Sequence, residues 1–155
     1  MPGDDPGAGD TAPGAVLFVC SMNAIRSPMA AGLLRHYAGH RIYVASAGVR
    51  AGEPDGFVIA AMDELGIDLS AHAPQTIDEL ADTSFDLIVS LSPEAHHQAL
   101  ELTRTMAVDV EYWPSIDPSV AQGSRDQMLD AYRASRDALA TRIQQRFDIS
   151  SSPNI

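Results

Sequence analysis

One segment near the N-terminus, residues 16–28, constrains the fold more than any other part of the chain. Four consecutive apolar residues, Val16–Val19, predict a buried strand. The strand ends at Cys20, which is the only cysteine among the 155 residues. Ser27 and Pro28 are residue types favoured at a helix N-cap and in a first helical turn, so a helix is predicted to begin there. The segment therefore predicts a strand, a short loop that begins at a thiol, and a helix N-terminus.

This arrangement suits an anion-binding site. Backbone N–H groups and the positive end of the helix dipole converge at a helix N-terminus, and they favour a thiolate at Cys20. Arg26 follows with five residues between and offers a planar set of donors for an oxyanion. A lone cysteine is more commonly an inert buried residue. A cysteine of that kind has no need of an arginine at this spacing, so a reactive thiol is the better interpretation.

The segment resembles the signature of the low-molecular-weight protein tyrosine phosphatase family, which includes the thioredoxin-coupled arsenate reductases. The family signature reads Cys-x-Gly-Asn-x-Cys-Arg-Ser-Pro, and this chain has Cys20-Ser21-Met22-Asn23-Ala24-Ile25-Arg26-Ser27-Pro28. The resemblance continues through Ser46-Ala47-Gly48, through Gly66-Ile67-Asp68-Leu69-Ser70-Ala71-His72, and to Asp117-Pro118, so it covers residues 15–147.

Composition excludes several classes of protein. The net charge of −11 disfavours nucleic acid and anionic membranes as partners. A single cysteine forms no internal disulfide and fits a reducing cytoplasm, and no apolar run approaches the ~20 residues of a membrane span. We expect a disordered tail over residues 1–14, one phosphatase-like domain over 15–149 and a loose C-terminus over 150–155. The sequence leaves the oligomeric state open, including a weak homodimer.

Alternating strands and helices predict an α/β fold. The expected architecture is a three-layer sandwich with a central four-stranded parallel sheet flanked by helices on both faces, and the fold of the resembling family agrees. The predicted strands are 15–19, 42–46, 85–89 and 108–112, and the predicted longer helices are 28–39, 58–65, 93–103 and 125–147. Ligands of such sheets bind beyond the C-terminal strand ends. Cys20, Ser46, Ser92 and Asp117 should therefore lie on one rim.

The chemistry that follows is phosphoryl transfer through a phosphocysteine. Cys20 would attack phosphorus, and Arg26 would hold the phosphoryl oxygens together with the backbone amides of the loop, which are those of Ser21, Met22, Asn23, Ala24, Ile25 and Arg26. The resemblance implies that Asp117 is the general acid, and that Asn23, Ser27, Ser46 and His72 support the loop. No cofactor and no metal are expected; phosphate or sulfate could occupy the site. His96 and His97 are interpreted as surface residues.

Three departures from the family pattern bear on activity. Met22 replaces a glycine, which would strain the loop if that position needs a positive φ. Ile25 replaces a second cysteine that protects the nucleophile in many family phosphatases. Aromatic residues that usually flank the pocket are absent after Asp117-Pro118 and after Gly48. Trp113 could substitute for them or could belong to the core.

Three functions remain open at this point. The first is hydrolysis of phosphotyrosine or other aryl phosphomonoesters, with a phosphotyrosine protein or an aryl phosphate as substrate, as in bacterial family members. The second is arsenate reduction, favoured by Trp113-Pro114-Ser115-Ile116-Asp117-Pro118. Family arsenate reductases use two or three of their own cysteines, so this chain would need an external small thiol. The third is a catalytically impaired oxyanion-binding regulator.

Overall fold

The computed structural model describes residues 13–80 and 84–149. The expected N-terminal tail and C-terminal end fall almost entirely outside these ranges and stay predictions. Gly14, which the sequence analysis assigns to the tail, is described and is tied to the sheet. It accepts a hydrogen bond from the backbone of Tyr43 at 2.9 Å and donates its own N–H to Asp86 Oδ2 at 2.8 Å.

The predicted α/β architecture is confirmed. Four parallel strands form one sheet in the order β2-β1-β3-β4, and their bounds are β1 Ala15–Cys20, β2 Tyr43–Gly48, β3 Leu87–Ser90 and β4 Asp109–Tyr112. The α-helices are α1 Arg26–Ala38, α2 Gly56–Asp63, α3 Pro93–Leu102 and α4 Arg125–Phe147. Short 3₁₀ helices occupy Gly39–Arg41, Ile77–Glu79 and Pro118–Val120. Every connection between strands that are consecutive in the chain contains a helix, as parallel pairing requires.

Side-chain alternation along β1 separates the core into two layers. Val16, Phe18 and Cys20 face a cluster that includes residues of α1, α2 and α4. Leu17 and Val19 face the other way, toward a smaller cluster that includes residues of α3. Because both faces of this central strand are buried, its apolar run is continuous rather than alternating.

The start of α1 differs from the sequence prediction. The helix begins at Arg26, the N-cap is Ile25, and no side chain caps it. Ser27 therefore lies inside the first turn and is fully buried, with its hydroxyl directed at Cys20 rather than at helix N–H groups. The N-cap prediction for Ser27 was wrong because the thiol, and not the helix end, is the partner of this hydroxyl.

The helix starts at α3 and α4 follow their sequence signals. Ser92 Oγ accepts a hydrogen bond from Ala95 N at 3.2 Å and caps α3. Ser124 and Gln127 form a reciprocal capping box at the start of α4. Such boxes satisfy two helix N–H groups that otherwise lack partners, and this one marks the predicted start of α4.

His96 is not the surface residue that the sequence analysis expected. It is half-buried, its Nδ1 lies 2.9 Å from Ser90 Oγ, and its ring stacks on Tyr112 with centroids 4.5 Å apart. His97 is exposed, as predicted. His96 therefore ties α3 to the ends of β3 and β4. None of the helices in the described part of the chain is both long and apolar enough to cross a membrane.

Candidate active site

The candidate site lies where β1 ends at Cys20, beside Gly48 at the end of β2 in the strand register. Gly48 allows the loop after Cys20 to fold back over β2. A Cβ at Gly48 would lie 2.7 Å from Asn23 N and 2.8 Å from the carbonyl carbon of Met22, well inside contact distance. Only glycine therefore fits at this position without moving the backbone of the loop.

Polar contacts surround the sulfur of Cys20 although the residue is only 3% exposed. Asn23 N–H donates to Sγ at 3.3 Å, and Ser27 Oγ lies 3.0 Å from Sγ. The Ser27 hydroxyl accepts from Asn23 Nδ2 at 2.9 Å, so its own proton is available for the sulfur or for the carbonyl of Ala47 at 3.4 Å. The thiol is thus embedded in hydrogen-bond donors, which suits a nucleophilic sulfur better than an inert one.

Asn23 organises the loop. Its φ is +53°, in the left-handed region that asparagine tolerates better than most residues, as the sequence analysis expected. The side chain is fully buried. Its Nδ2 donates to Ser27 Oγ and Ser46 Oγ, both at 2.9 Å, and its Oδ1 accepts from Gln75 N at 2.9 Å. Gln75 is a partner that the sequence analysis missed, because no local pattern marks it.

His72 completes the support from outside the sheet. Its Nε2 lies 2.8 Å from the carbonyl oxygen of Asn23. Since a carbonyl oxygen only accepts, Nε2 carries the proton. The four residues expected to support the loop, Asn23, Ser27, Ser46 and His72, therefore all meet in one hydrogen-bonded network.

Backbone hydrogen bonds hold the other side of the loop. Val49 N donates to Cys20 O at 3.1 Å, Arg50 N to Ser21 O at 2.8 Å, and Gly52 N to Met22 O at 2.8 Å. The only non-glycine residues with positive φ in the described ranges are Asn23 and Asp148, so Met22 introduces no left-handed strain. The Met22 side chain is 41% exposed and packs against Gly52.

Arg26 is held in place by two carbonyl groups. Its Nη1 donates to Ser115 O at 2.9 Å and to Leu91 O at 3.3 Å. These carbonyls follow β3 and β4, so the guanidinium is positioned by the same sheet rim as Cys20. Within the described structure Nε and Nη2 have no hydrogen-bond partner, which leaves them available to an oxyanion.

Asp117 lies on the segment that follows β4. Its Oδ1 accepts from the N–H and hydroxyl of Ser119, at 2.9 and 2.7 Å. The residue is half-buried, and the same segment supplies the Ser115 carbonyl that binds Arg26. Asp117 is therefore brought to the rim that carries Cys20. Burial, the hydrogen bond to Asp55 and the charge of Asp117 together raise the pKa of Tyr132, so this tyrosine stays protonated beside the two carboxylates.

A charged pair lies beside Ser21 of the loop. Both guanidinium nitrogens of Arg50 bind the carboxylate of Glu94, with Nη2 at 2.8 Å from Oε1. This pairing lowers the pKa of Glu94, which also accepts a hydrogen bond from Ser21. Ser21 Oγ in turn lies 3.0 Å from Ser92 Oγ. Sequence reasoning could not find this pair, because its members are separated by 44 residues.

Trp113 belongs to the core and does not substitute for the missing aromatic wall. It is 2% exposed, and its ring lies edge-on to Phe18 with centroids 6.0 Å apart. Its indole N–H donates to Glu111 Oε1 at 3.1 Å. Trp113 is therefore not available to stack on a substrate ring. Residues 13–80 and 84–149 contain no group of three or more His, Cys, Asp or Glu side chains able to hold a metal ion.

Comparison with known proteins identifies relatives along nearly the whole chain. The family model described as "Low molecular weight phosphotyrosine protein phosphatase" matches residues 15–148. The arsenate reductase of Bacillus subtilis strain 168 is 32% identical over 130 residues, covering 84% of this chain and 92% of that protein. The arsenate reductase of Halalkalibacterium halodurans is 33% identical over 129 residues, covering 83% of this chain and 91% of that protein.

The solved structures that resemble this chain include both phosphatases and arsenate reductases. The YwlE arginine phosphatase from Geobacillus stearothermophilus superposes with a TM-score of 0.72 at 25% identity, covering 88% of this chain and 92% of that one. An arsenate reductase in the phosphate-binding state superposes with a TM-score of 0.67 at 28% identity, covering 88% of this chain and 98% of that one. The shared scaffold is thus found with more than one reaction.

Proposed function

The chain belongs to the low molecular weight phosphotyrosine protein phosphatase family, and we propose that it is a cysteine-dependent phosphatase acting on aryl phosphomonoesters, phosphotyrosine included. The observation that carries this proposal is the Cys20 sulfur, which receives an N–H from its own loop and lies beside the Ser27 hydroxyl. A reducing, cytoplasmic setting fits a catalytic thiol that has no second cysteine to protect it.

The proposed reaction has two steps. In the first, Cys20 Sγ attacks phosphorus, the bond from phosphorus to the leaving oxygen breaks, and Asp117 gives that oxygen its proton. In the second, Asp117 takes a proton from water, the water oxygen attacks phosphorus, and the sulfur–phosphorus bond breaks to release phosphate and the thiolate. Arg26 and the loop amides stabilise the charge on the equatorial oxygens in both steps.

The described residues around the Cys20 loop provide no aromatic side chain that would favour phosphotyrosine over other aryl phosphates. Trp113 is in the core, and neither the residues that follow Cys20, Ser21 and Met22, nor the neighbouring pair of Arg50 and Glu94 carries an aromatic ring. An aromatic ring in the substrate thus finds no stacking partner among these, a contact worth about 0.5–1.5 kcal/mol per ring pair. We therefore expect small aryl phosphates and phosphotyrosine peptides to be hydrolysed with similar efficiency.

Arsenate reduction is the second candidate, because the curated relatives at 32–33% identity are arsenate reductases. Here Cys20 would attack arsenate, with loss of water, to give a Cys20–arsenic adduct. The chain has no second cysteine to resolve that adduct. A low-molecular-weight thiol would have to attack the adduct, displace Cys20 and carry the arsenic away for reduction by a further thiol.

Steady-state kinetics with p-nitrophenyl phosphate tests the proposal. We expect turnover by the wild type, no turnover by Cys20→Ser, and a smaller loss for Asp117→Ala. General acid catalysis contributes about 10²–10⁴-fold, and less when the leaving group is as good as p-nitrophenolate. Phenyl phosphate, which has a poorer leaving group, should therefore reveal a larger defect in Asp117→Ala. Asp126→Ala, an exposed aspartate of α4, is the matched control and should retain activity.

Parallel assays separate the alternatives. A wild type that is inert on aryl phosphates but consumes arsenate in the presence of glutathione would establish the second candidate. A protein that does neither, yet binds phosphate, would be the oxyanion-binding regulator. The regulator hypothesis supposes that Met22 disables the loop, and the φ of Met22 lies outside the left-handed region, so it provides no strain of that kind.

A further inference from the structure

A cavity of about 450 Å³ lies between the segment after β4 and helix α4. Its walls include Trp113, Ile116, Val120, Ala134, Ala138 and Arg142. No residue of the Cys20–Arg26 loop lines it, but Asp117, the proposed general acid, does, so the cavity adjoins the proposed phosphate site without including its loop. Its size and largely apolar walls fall within the range of sites that hold small organic ligands.

The α4 side of the cavity is built from small side chains. Ala131, Ala134 and Ala138 face it along one side of the helix, so nothing large from α4 fills the space. Across the opening, Ile116 is 82% exposed and Val120 is 71% exposed. Two large aliphatic side chains are thus left in water at the edge of an apolar cavity, and an apolar ligand would cover them.

Arg142 supplies a positive charge at this cavity. Its guanidinium lies over the Trp113 ring, 5.0 Å from the centroid, and the residue is exposed. Within the described ranges no carboxylate pairs with it. Five of the ten arginines pair with carboxylates in the described structure, and Arg142 is among those that do not; the paired ones are Arg50, Arg104, Arg133, Arg136 and Arg146. A guanidinium that makes no ion pair of its own beside apolar walls favours a ligand with one negative charge.

We infer that this cavity binds an amphiphilic monoanion, an aromatic or alkyl body that carries one carboxylate or sulfonate. The apolar body lies between Ile116, Val120 and the alanines of α4, and the anionic group pairs with Arg142. Binding there also touches the proposed active site, because Ser115 lines the cavity and its carbonyl oxygen holds Arg26. The inference stands on the cavity and its charge, and it holds whichever reaction the Cys20 site performs.

The test compares two fluorescent probes with the same aromatic body. 8-Anilinonaphthalene-1-sulfonate carries the negative charge, and N-phenyl-1-naphthylamine lacks it. We expect one equivalent of the sulfonate to bind the wild type about tenfold more tightly than the neutral probe, the worth of one charge-assisted contact. Saturating inorganic phosphate should leave this affinity unchanged. Equal affinity for the two probes, or displacement of the sulfonate by phosphate, would overturn the inference.

Variants then locate the probe. Arg142→Gln should remove the tenfold preference while leaving binding of the neutral probe intact. Ala134→Trp should fill the cavity and abolish binding of both probes, with circular dichroism used to verify folding. Arg125→Gln is the matched control, because Arg125 is also an exposed arginine of α4 that stacks on an aromatic ring, Phe57 at 5.5 Å, but it does not line the cavity. An equal loss of preference in Arg125→Gln and Arg142→Gln would show that the probe binds elsewhere.

Discussion

Asn23 combines a left-handed backbone with a buried side-chain amide that both donates and accepts hydrogen bonds. Its backbone is in the left-handed region at φ +53°, and its buried amide donates to Ser27 and Ser46 and accepts from Gln75. Asparagine tolerates this backbone region, and its side chain can donate and accept at once. The shape of the loop around Cys20 therefore depends on this residue for both conformation and hydrogen bonding.

Substituting Asn23 separates the effect of the backbone conformation from that of the amide. Asn23→Gly keeps the left-handed backbone and loses the amide, leaving buried partners unsatisfied at a cost of about 1–3 kcal/mol each. Asn23→Ala loses the amide and adds backbone strain of about 1–2 kcal/mol. We expect urea denaturation to rank stability as wild type, then Asn23→Gly, then Asn23→Ala, with activity reduced in both variants. An alanine variant as stable as the glycine variant would show that the backbone of the loop relaxes.

Ile25 determines how the protein responds to oxidation. In the resembling phosphatases a cysteine at this position protects the nucleophile, and here none is available to pair with Cys20. After timed exposure to hydrogen peroxide, we expect dithiothreitol to restore less activity to the wild type than to Ile25→Cys, because over-oxidised cysteine is not reduced by thiols. Ile25→Ser controls for the loss of the isoleucine side chain. Equal recovery in Ile25→Cys and Ile25→Ser would exclude a protecting disulfide.

At the scale of the elements, local signals predicted some ends and missed others. The start of α4 follows from its capping box, whose partners Ser124 and Gln127 are three residues apart. The start of α1 was misplaced because Ser27 resembles a cap in sequence but contacts Cys20 in space. The strand β2 extends to Gly48 because the Cys20 loop packs on its last residue. A local cap did not suffice at α2, which begins at Gly56 behind Asp55 although its start was predicted at residue 58.

Asp55 links helices α2 and α4. Its Oδ1 accepts from Phe57 N at 2.9 Å and Val58 N at 3.2 Å and so caps α2, while its Oδ2 accepts from the hydroxyl of Tyr132 at 2.9 Å. Tyr132 is 2% exposed, so its hydroxyl depends on this partner. The sequence analysis did not single out the contact between Asp55 and Tyr132, because the two residues are 77 positions apart.

Substituting Tyr132 and substituting Asp55 should lower the free energy of unfolding by different amounts. Tyr132→Phe removes one hydrogen bond, worth about 1 kcal/mol. Asp55→Ala also removes the cap of α2, worth about 1 kcal/mol, and leaves the buried hydroxyl without a partner. We therefore expect a larger loss of unfolding free energy for Asp55→Ala in urea denaturation. The double variant should be less destabilised than the sum of the single ones, and strict additivity would show that the hydroxyl finds another partner.

Across the whole molecule, the candidate site is an assembly of distant segments. Cys20 and Arg26 are close in sequence and could be predicted together. Arg26 is nevertheless held by Ser115, 89 residues away, and the pair of Arg50 and Glu94 spans 44 residues. Only the register of the parallel sheet brings these segments to one edge, so sequence reasoning reached the residues of the resembling motif and not their partners.

Acid stability is the property in which whole-molecule charge and local pairing oppose each other. With a net charge of −11, protonation of carboxylates relieves general repulsion as the pH falls. Protonation of Glu64 has the opposite effect on stability, because it weakens the ion pairs that this carboxylate makes. Hydrogen bonds from Arg133 and Arg136 lower its pKa from 4.5 to about 2. Because the folded state lowers this pKa, the stabilisation is complete above the unfolded value and is lost as the pH falls from 4.5 toward 2.

Glu64→Gln should therefore melt at a lower temperature than the wild type near neutral pH, and the difference in Tm should shrink between pH 4.5 and about 2. Salt should also reduce the difference, since the pair is partly exposed. Glu53→Gln removes the same charge from an exposed position on the loop before α2 that has no ion-pair partner in the described structure, so it controls for net charge. Thermal melts of the three proteins across this pH range test the link between α2 and α4. A Tm difference that stays constant down to pH 2, or that also appears in Glu53→Gln, would show that Glu64 does not stabilise the fold through Arg133 and Arg136.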